Sequence, residues 1–161
     1  MMPEETSTTL LRHRKGEEPS LADDNVNAFC EQSNGELWIA TDNGISIYNP
    51  PNNRCRQILP GNVVLSISID SQDIIAAGTY GNGVFLLNSQ GEILHHYLST
   101  NSSLPSDYLS TVQFDTDRDL WIGTMDNQLL QLEHPTRQWK SYNVIKAVSY
   151  THLRAHETDS Y

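Results

Sequence analysis

His152 and His156 stand four apart in "AVSYTHLRAHET" (147–158), a spacing that puts two imidazoles on one helix face and can hold a metal. A metal would also need a third ligand and groups to orient the rings, and the nearby acids offer no obvious set. His95 and His96 are adjacent, so on a strand they point to opposite faces and cannot chelate one ion together. No metal site and no cofactor are expected. Asp70, Asp115 and Asp117 fall in turn sequences, where side-chain bonds to the backbone account for them. No G-x-S-x-G nucleophile appears, and no carboxylates pair up as glycoside hydrolysis requires. These residues point to binding, with no catalytic residue.

The more suggestive group is polar and aromatic: Asp42, Asn43, Tyr80, Asn82, Asp126 and Asn127, with Asp24, Asn62 and Asp107. Carboxylates and amides bind sugar hydroxyls, and a ring such as Tyr80 can stack on a sugar face. "DNG" and "GNG" are also turn sequences that supply positive φ, and a turn can present polar groups. Whether these residues share a site depends on the elements that carry them.

Those elements repeat. "NVNAFCEQSNGELWIAT" (25–41), "VVLSISIDSQDIIAAGT" (63–79) and "YLSTVQFDTDRDLWIGT" (108–124) align without a gap over seventeen positions. Thr41, Thr79 and Thr124 close the copies, preceded by Ala40, Gly78 and Gly123; Trp38 and Trp121 match, with Ala76 between them. Each copy continues through a polar turn into an apolar segment ("ISIYN", "VFLLN", "LLQLE"), a second turn and a mixed segment ("RCRQIL", "EILHHYL", "RQWKSY"). Alternation of Val64, Ser66 and Ser68 against Leu65, Ile67 and Ile69 indicates strands. Four strands in about forty residues is the unit of a β-propeller blade. The expected fold is all-β: a partial propeller of about three four-stranded blades, at 21–60, 61–103 and 104–146. Residues 1–20 are expected to end a preceding blade, with Leu10 and Leu11 on its outer strand, so that neither end is a mature terminus.

Small residues before each Thr let neighbouring blades approach, and the tryptophans fill the wedge between sheets. Cys30 falls on an inner strand and Cys55 on the outer strand of the same blade. At about 4.8 Å per strand spacing they are too far apart for a disulfide. Loops between second and third strands share one face with the loops joining blades, and that face collects the polar and aromatic group above.

The run "NVNAFCEQSNGELWIATDNGISIYN" resembles the two-component regulator propeller repeat: N-x-V, then D-x-x-G-x-L-W-I-G-T, a Gly-containing turn and a strand ending in Tyr-Asn. The resemblance covers residues 21–143, with Gln32 in place of the usual Asp, Ala76 in place of Trp and Gln128 in place of a turn Gly. It implies part of the periplasmic sensor of a hybrid histidine kinase of gut Bacteroidetes, with an oligosaccharide as ligand. It also implies further blades of a parent chain, and a homodimer of that parent, as partners. A scaffold that binds protein without a small ligand is the alternative.

The tail does not continue the repeat. Read back into codons, Val148 to Thr158 resembles the transposon mosaic end and adapter of short-read sequencing libraries. Residues 147–161 are therefore set aside, and the paired histidines with them.

Composition narrows the classes of partner. The 161 residues carry a formal charge of −10, with 37% apolar and 19% charged residues. The pI is about 4.8 and the mean hydropathy −0.49. An acidic chain lacks the basic footprint for nucleic acid and is repelled by anionic membrane surfaces. No stretch is long and apolar enough to span a bilayer, and the first residues do not read as a secretory signal.

Overall fold

Each copy of the repeat folds as one meander of four antiparallel strands in the computed structural model, which describes residues 8–142. The first sheet holds β1 (Val26–Glu31), β2 (Leu37–Thr41), β3 (Gly44–Asn49) and β4 (Arg54–Ile58). The second holds β5 (Val64–Ile69), β6 (Ile75–Thr79), β7 (Val84–Leu87) and β8 (Ile93–Tyr97). The third holds β9 (Leu109–Phe114), β10 (Leu120–Thr124), β11 (Leu129–Leu132) and β12 (Trp139–Tyr142). Strand order within each sheet follows the chain, and the inner strands β1, β5 and β9 are successive neighbours. The three sheets are therefore three consecutive propeller blades.

The core lies in the two seams between blades, because each strand alternates side chains toward the blade before and the blade after. Trp38, Ile45 and Ile47 of the first blade pack on Val64, Ile67, Ile75 and Phe85 of the second. Ala76, Val84 and Leu86, from the other face of the second blade, pack on Leu109, Val112, Ile122 and Leu130 of the third. Full burial of such side chains contributes about 1.5–3 kcal/mol each. Small residues before the Thr are required by this spacing: a Cβ on Gly78 would lie 2.9 Å from Val112 Cγ1.

Three repeated devices shape the turns. Thr41 and Thr79, both fully buried, donate their hydroxyls to the carbonyls of Gly44 and Gly83. The same hydroxyls accept from the backbone of Asn43 and Asn82, and Thr124 accepts likewise from Gln128. Asp70 and Asp115 each draw two backbone N–H groups onto one carboxylate oxygen, closing the first hairpin of their blades. The indoles of Trp38 and Trp121 then donate to Gln32 and Asp115, the residues at that same position, at 2.8 Å. A leucine from each connector completes the set: Leu21, Leu59 and Leu104 are all buried.

Inner strands are joined by side chains. Ser66 Oγ accepts from Val112 N, Ser68 Oγ accepts from Phe114 N, and Asn27 donates to the carbonyl of Val64.

The outer strand expected at Leu10 and Leu11 is not formed. Residues 8–25 make no strand, and no strand among the described residues lies beside them to pair with. They run instead across the face of the first blade, where Leu11 and Leu21 pack on Ile39 and Cys55. Glu18 accepts the N–H of Cys55, and Ser46 Oγ accepts that of Ala22.

Candidate functional site

The loops after the second strand of each blade and the connectors between blades lie on one face, tied by backbone bonds. Asp42 N donates to Asn25 O, Tyr80 N to Val63 O and Met125 N to Tyr108 O, the same contact in all three blades. Further bonds lock loop to connector: Gly44 N donates to Asn62 O at 2.6 Å, and Gly81 N and Gly83 N both donate to Asp107 O at 3.0 Å.

Most of the polar residues expected at this site are occupied in holding the face together. Asn43 Oδ1 accepts from Gly61 N at 2.7 Å, and Asn82 Nδ2 donates to Asn62 Oδ1 at 2.6 Å. Asp42 accepts from the Asn27 amide. Asp126 accepts from the Thr124 hydroxyl and from the Gln128 amide, and these bonds hold its carboxyl below the ordinary value. Asn127 takes a φ of 67°, so it serves as a turn residue. Asp24 accepts from His13 N, and Asp107 from the backbone and hydroxyl of Ser99.

Tyr80 differs from these. It is exposed and meets Tyr108 edge to face, with ring centroids 4.8 Å apart. Tyr108 is exposed too and rests on the backbone of Gly81, while Asn62 and Asn82 stand in the adjoining loops. Met125, one blade on at the position of Tyr80, is also exposed. Sequence reasoning missed Tyr108 and Met125. The alignment carried the signal, since Tyr108 opens the third copy and Met125 follows Thr124 as Tyr80 follows Thr79.

The two tyrosines, two asparagines and Asp107 form a shallow polar face with an aromatic centre. Such a face can offer hydrogen bonds and a ring to a flat, hydroxylated ligand. It holds no pair of free acids, and the described residues contain no cluster of His, Cys, Asp or Glu suited to a metal. His152 and His156 lie outside the described residues, as does the whole tail from 147.

Elsewhere the chemical groups are packed away. Cys30 and Cys55 are on the two edge strands of one sheet and are free thiols. Burial pushes the Cys30 thiol up to about 12, and burial with the nearby Glu18 carboxylate also raises Cys55. His96 stacks on Phe85 and donates to Asn82 O, whereas His95 lies beside Tyr97 on the other face.

Comparison with known proteins agrees with this architecture. The model of the family described as "Two component regulator propeller" matches residues 20–43. That stretch keeps Gly35 and Trp38, where the second copy has Asp73 and Ala76 and the third has Arg118 and Trp121. No curated protein matches the chain. Among solved structures, the extracellular domain of a hybrid two component system from B. thetaiotaomicron aligns with 25% identity and a TM-score of 0.68, over 80% of this chain and 18% of that one. The extracellular domain of a one component system from the same organism aligns with 18% identity and a TM-score of 0.65, over 80% and 20%. PorZ, a surface component of the type-IX secretion system of Porphyromonas gingivalis, aligns with 22% identity and a TM-score of 0.63, over 75% and 19%. The chain spans about a fifth of the length of these structures. Two of these three are extracellular domains of hybrid or one component systems, and no helix among the described residues is long and apolar enough to cross a membrane. Residues 20–43 thus match the two component regulator propeller repeat, and the three sheets fold as consecutive propeller blades similar to part of that extracellular domain.

Proposed function

We propose that this segment is part of the ligand-sensing face of a periplasmic propeller ectodomain, binding an oligosaccharide fragment and signalling to a histidine kinase outside this sequence. The observation that carries it is the exposed Tyr80–Tyr108 pair set among the amides of Asn62 and Asn82. An apolar ring face matches the C–H face of a pyranose, and nearby amides match its hydroxyls. Asp42, Asn43, Asp126 and Asn127 shape the loops that present this centre.

The remaining partners are further blades. Val26 and Phe29 on β1 are 48% and 68% exposed, and Trp121 is half-buried where its counterpart Trp38 is fully buried. Another blade on each side would cover these faces as the second blade covers Trp38, and a homodimer of the parent could then form through its outer rim. Ile93 and Leu94, exposed on the outer strand β8, favour a protein partner at that rim as a second reading.

Calorimetric titration of a panel of soluble oligosaccharides into the ectodomain containing this segment tests the primary reading. Binding heat lost in Tyr80→Ala and Tyr108→Ala is the expected result. No heat across a broad panel, or heat indifferent to both substitutions, would overturn it.

A further inference from the structure

The seam between the second and third blades differs from the first seam. In the first, Trp38 fills the wedge and its indole reaches Gln32. At the matching position the small Ala76 is buried in the seam, and Asp70, which holds the place of Gln32, receives Arg118 of the next blade instead of an indole: Nε to Oδ2 at 2.9 Å. Beside this ion pair is a cavity of about 120 Å3, lined by Asp70 and Arg118 and walled by Leu86, Phe114, Leu120 and Leu132. An engineered apolar cavity of about 150 Å3 takes a benzene ring, so this one suits a single small ring or a short chain.

Charge around the cavity decides what head group the guest would carry. Asp70 is balanced by Arg118, and Glu133, also in the lining, is balanced by Lys140 at 2.5 Å. Arg137, at the same lining, donates to the neutral phenol oxygen of Tyr97 and has no carboxylate partner among the described residues. His134 adds a further imidazole to the wall. The cavity therefore has a mixed wall, with Leu86, Phe114, Leu120 and Leu132 beside two ion-paired carboxylates, and at its exposed edge a guanidinium that bonds Tyr97 Oη and meets no carboxylate among the described residues.

We propose that this inter-blade cavity binds a small monocarboxylate, its apolar body between Leu86, Phe114 and Leu132 and its carboxylate on Arg137. A guanidinium already positioned by another side chain loses little freedom on accepting a carboxylate, and it does so with two parallel donors. The site is separate from the tyrosine face and does not depend on it.

Ligand-observed NMR on the full chain, with benzoate and its neutral counterpart benzamide as probes, tests this. Saturable benzoate binding, roughly tenfold or more tighter than benzamide, is expected from a charge-assisted pair. Arg137→Gln, an exposed position, should remove that preference, and Leu132→Trp, in the cavity wall, should abolish binding by filling the space. No saturable benzoate binding, equal affinity for the two probes, or a preference that survives Arg137→Gln would each overturn the proposal. Should Leu132→Trp fail to fold, Arg137→Gln alone decides.

Discussion

Tyr108 lies against the bare backbone of Gly81: a Cβ at Gly81 would come within 3.0 Å of the ring's Cε1, and Gly81 has a φ of +99°. Gly81→Ala therefore moves the ring and strains the loop, at a cost of about 1–3 kcal/mol. Near-ultraviolet circular dichroism should report the loss of the Tyr80–Tyr108 pairing, while far-ultraviolet signal stays that of a β protein. An unchanged aromatic spectrum would show that Tyr108 does not depend on this contact.

The two seam tryptophans should differ in worth although their sequence contexts match. Trp38→Ala empties a fully buried site and strands the Gln32 amide, at a cost of about 3–5 kcal/mol. Trp121 is half-buried, packs beside Tyr142 and has no blade beyond it among the described residues, so Trp121→Ala should cost clearly less. Urea unfolding of the two variants measures the difference, and equal losses would contradict the seam account.

Thr79 supplies both a donor and an acceptor to its turn from a fully buried position. Thr79→Val keeps the shape and removes both bonds, which should destabilise by about 1–3 kcal/mol. Thr79→Ser should retain most of the stability. The same denaturation experiment separates bonding from volume.

Asp115 is drawn upward by burial and, more strongly in sum, downward by the Trp121 indole and the backbone N–H groups of Asp119 and Asp117, leaving its carboxyl below the ordinary value. A depressed carboxyl stabilises the fold above its unfolded-state value and loses that contribution as pH falls through the folded one. Trp121→Phe removes one donor, so the carboxyl should titrate at higher pH and acid destabilisation should begin earlier. Carboxyl-carbon NMR titration of both proteins provides the check, and coincident curves would exclude the indole bond as a cause.

The blades were legible because their signals are local and recur: the Thr and the small residue before it come at fixed offsets in every copy, and the Trp in two of the three. The shared loop face was legible for the same reason. What escaped was whatever joins one copy to another. Tyr108 acquires its partner from the preceding blade, and Arg118 bonds Asp70 across 48 residues, a substitution for Trp visible only when the sheets are side by side. The first residues failed in the opposite sense. Leu10 and Leu11 carry a strand-like pattern, yet a strand needs a neighbour, and the segment settled onto the first blade through Leu11 and Leu21 instead. The polar loop residues do lie on one face, but their side chains are largely committed to Gly61, Asn62, Asn27 and Thr124, which leaves the aromatic pair to face outward.

Ser66 and Ser68 hold the next inner strand by its N–H groups, and the backbone pairing across this seam is confined to the loop at Tyr80 and Tyr108. A joint made of two hydroxyls and a hydrophobic wedge is indifferent to most of the sequence on either side of it. A unit of this kind can be duplicated, deleted or exchanged by recombination, because each new neighbour meets the same few demands. The second seam shows how different one joint can be from the next: it has an alanine for the tryptophan, an ion pair and a cavity, while the blades on both sides keep their register. Innovation in such an array can therefore begin at a joint, with the units themselves left as they were.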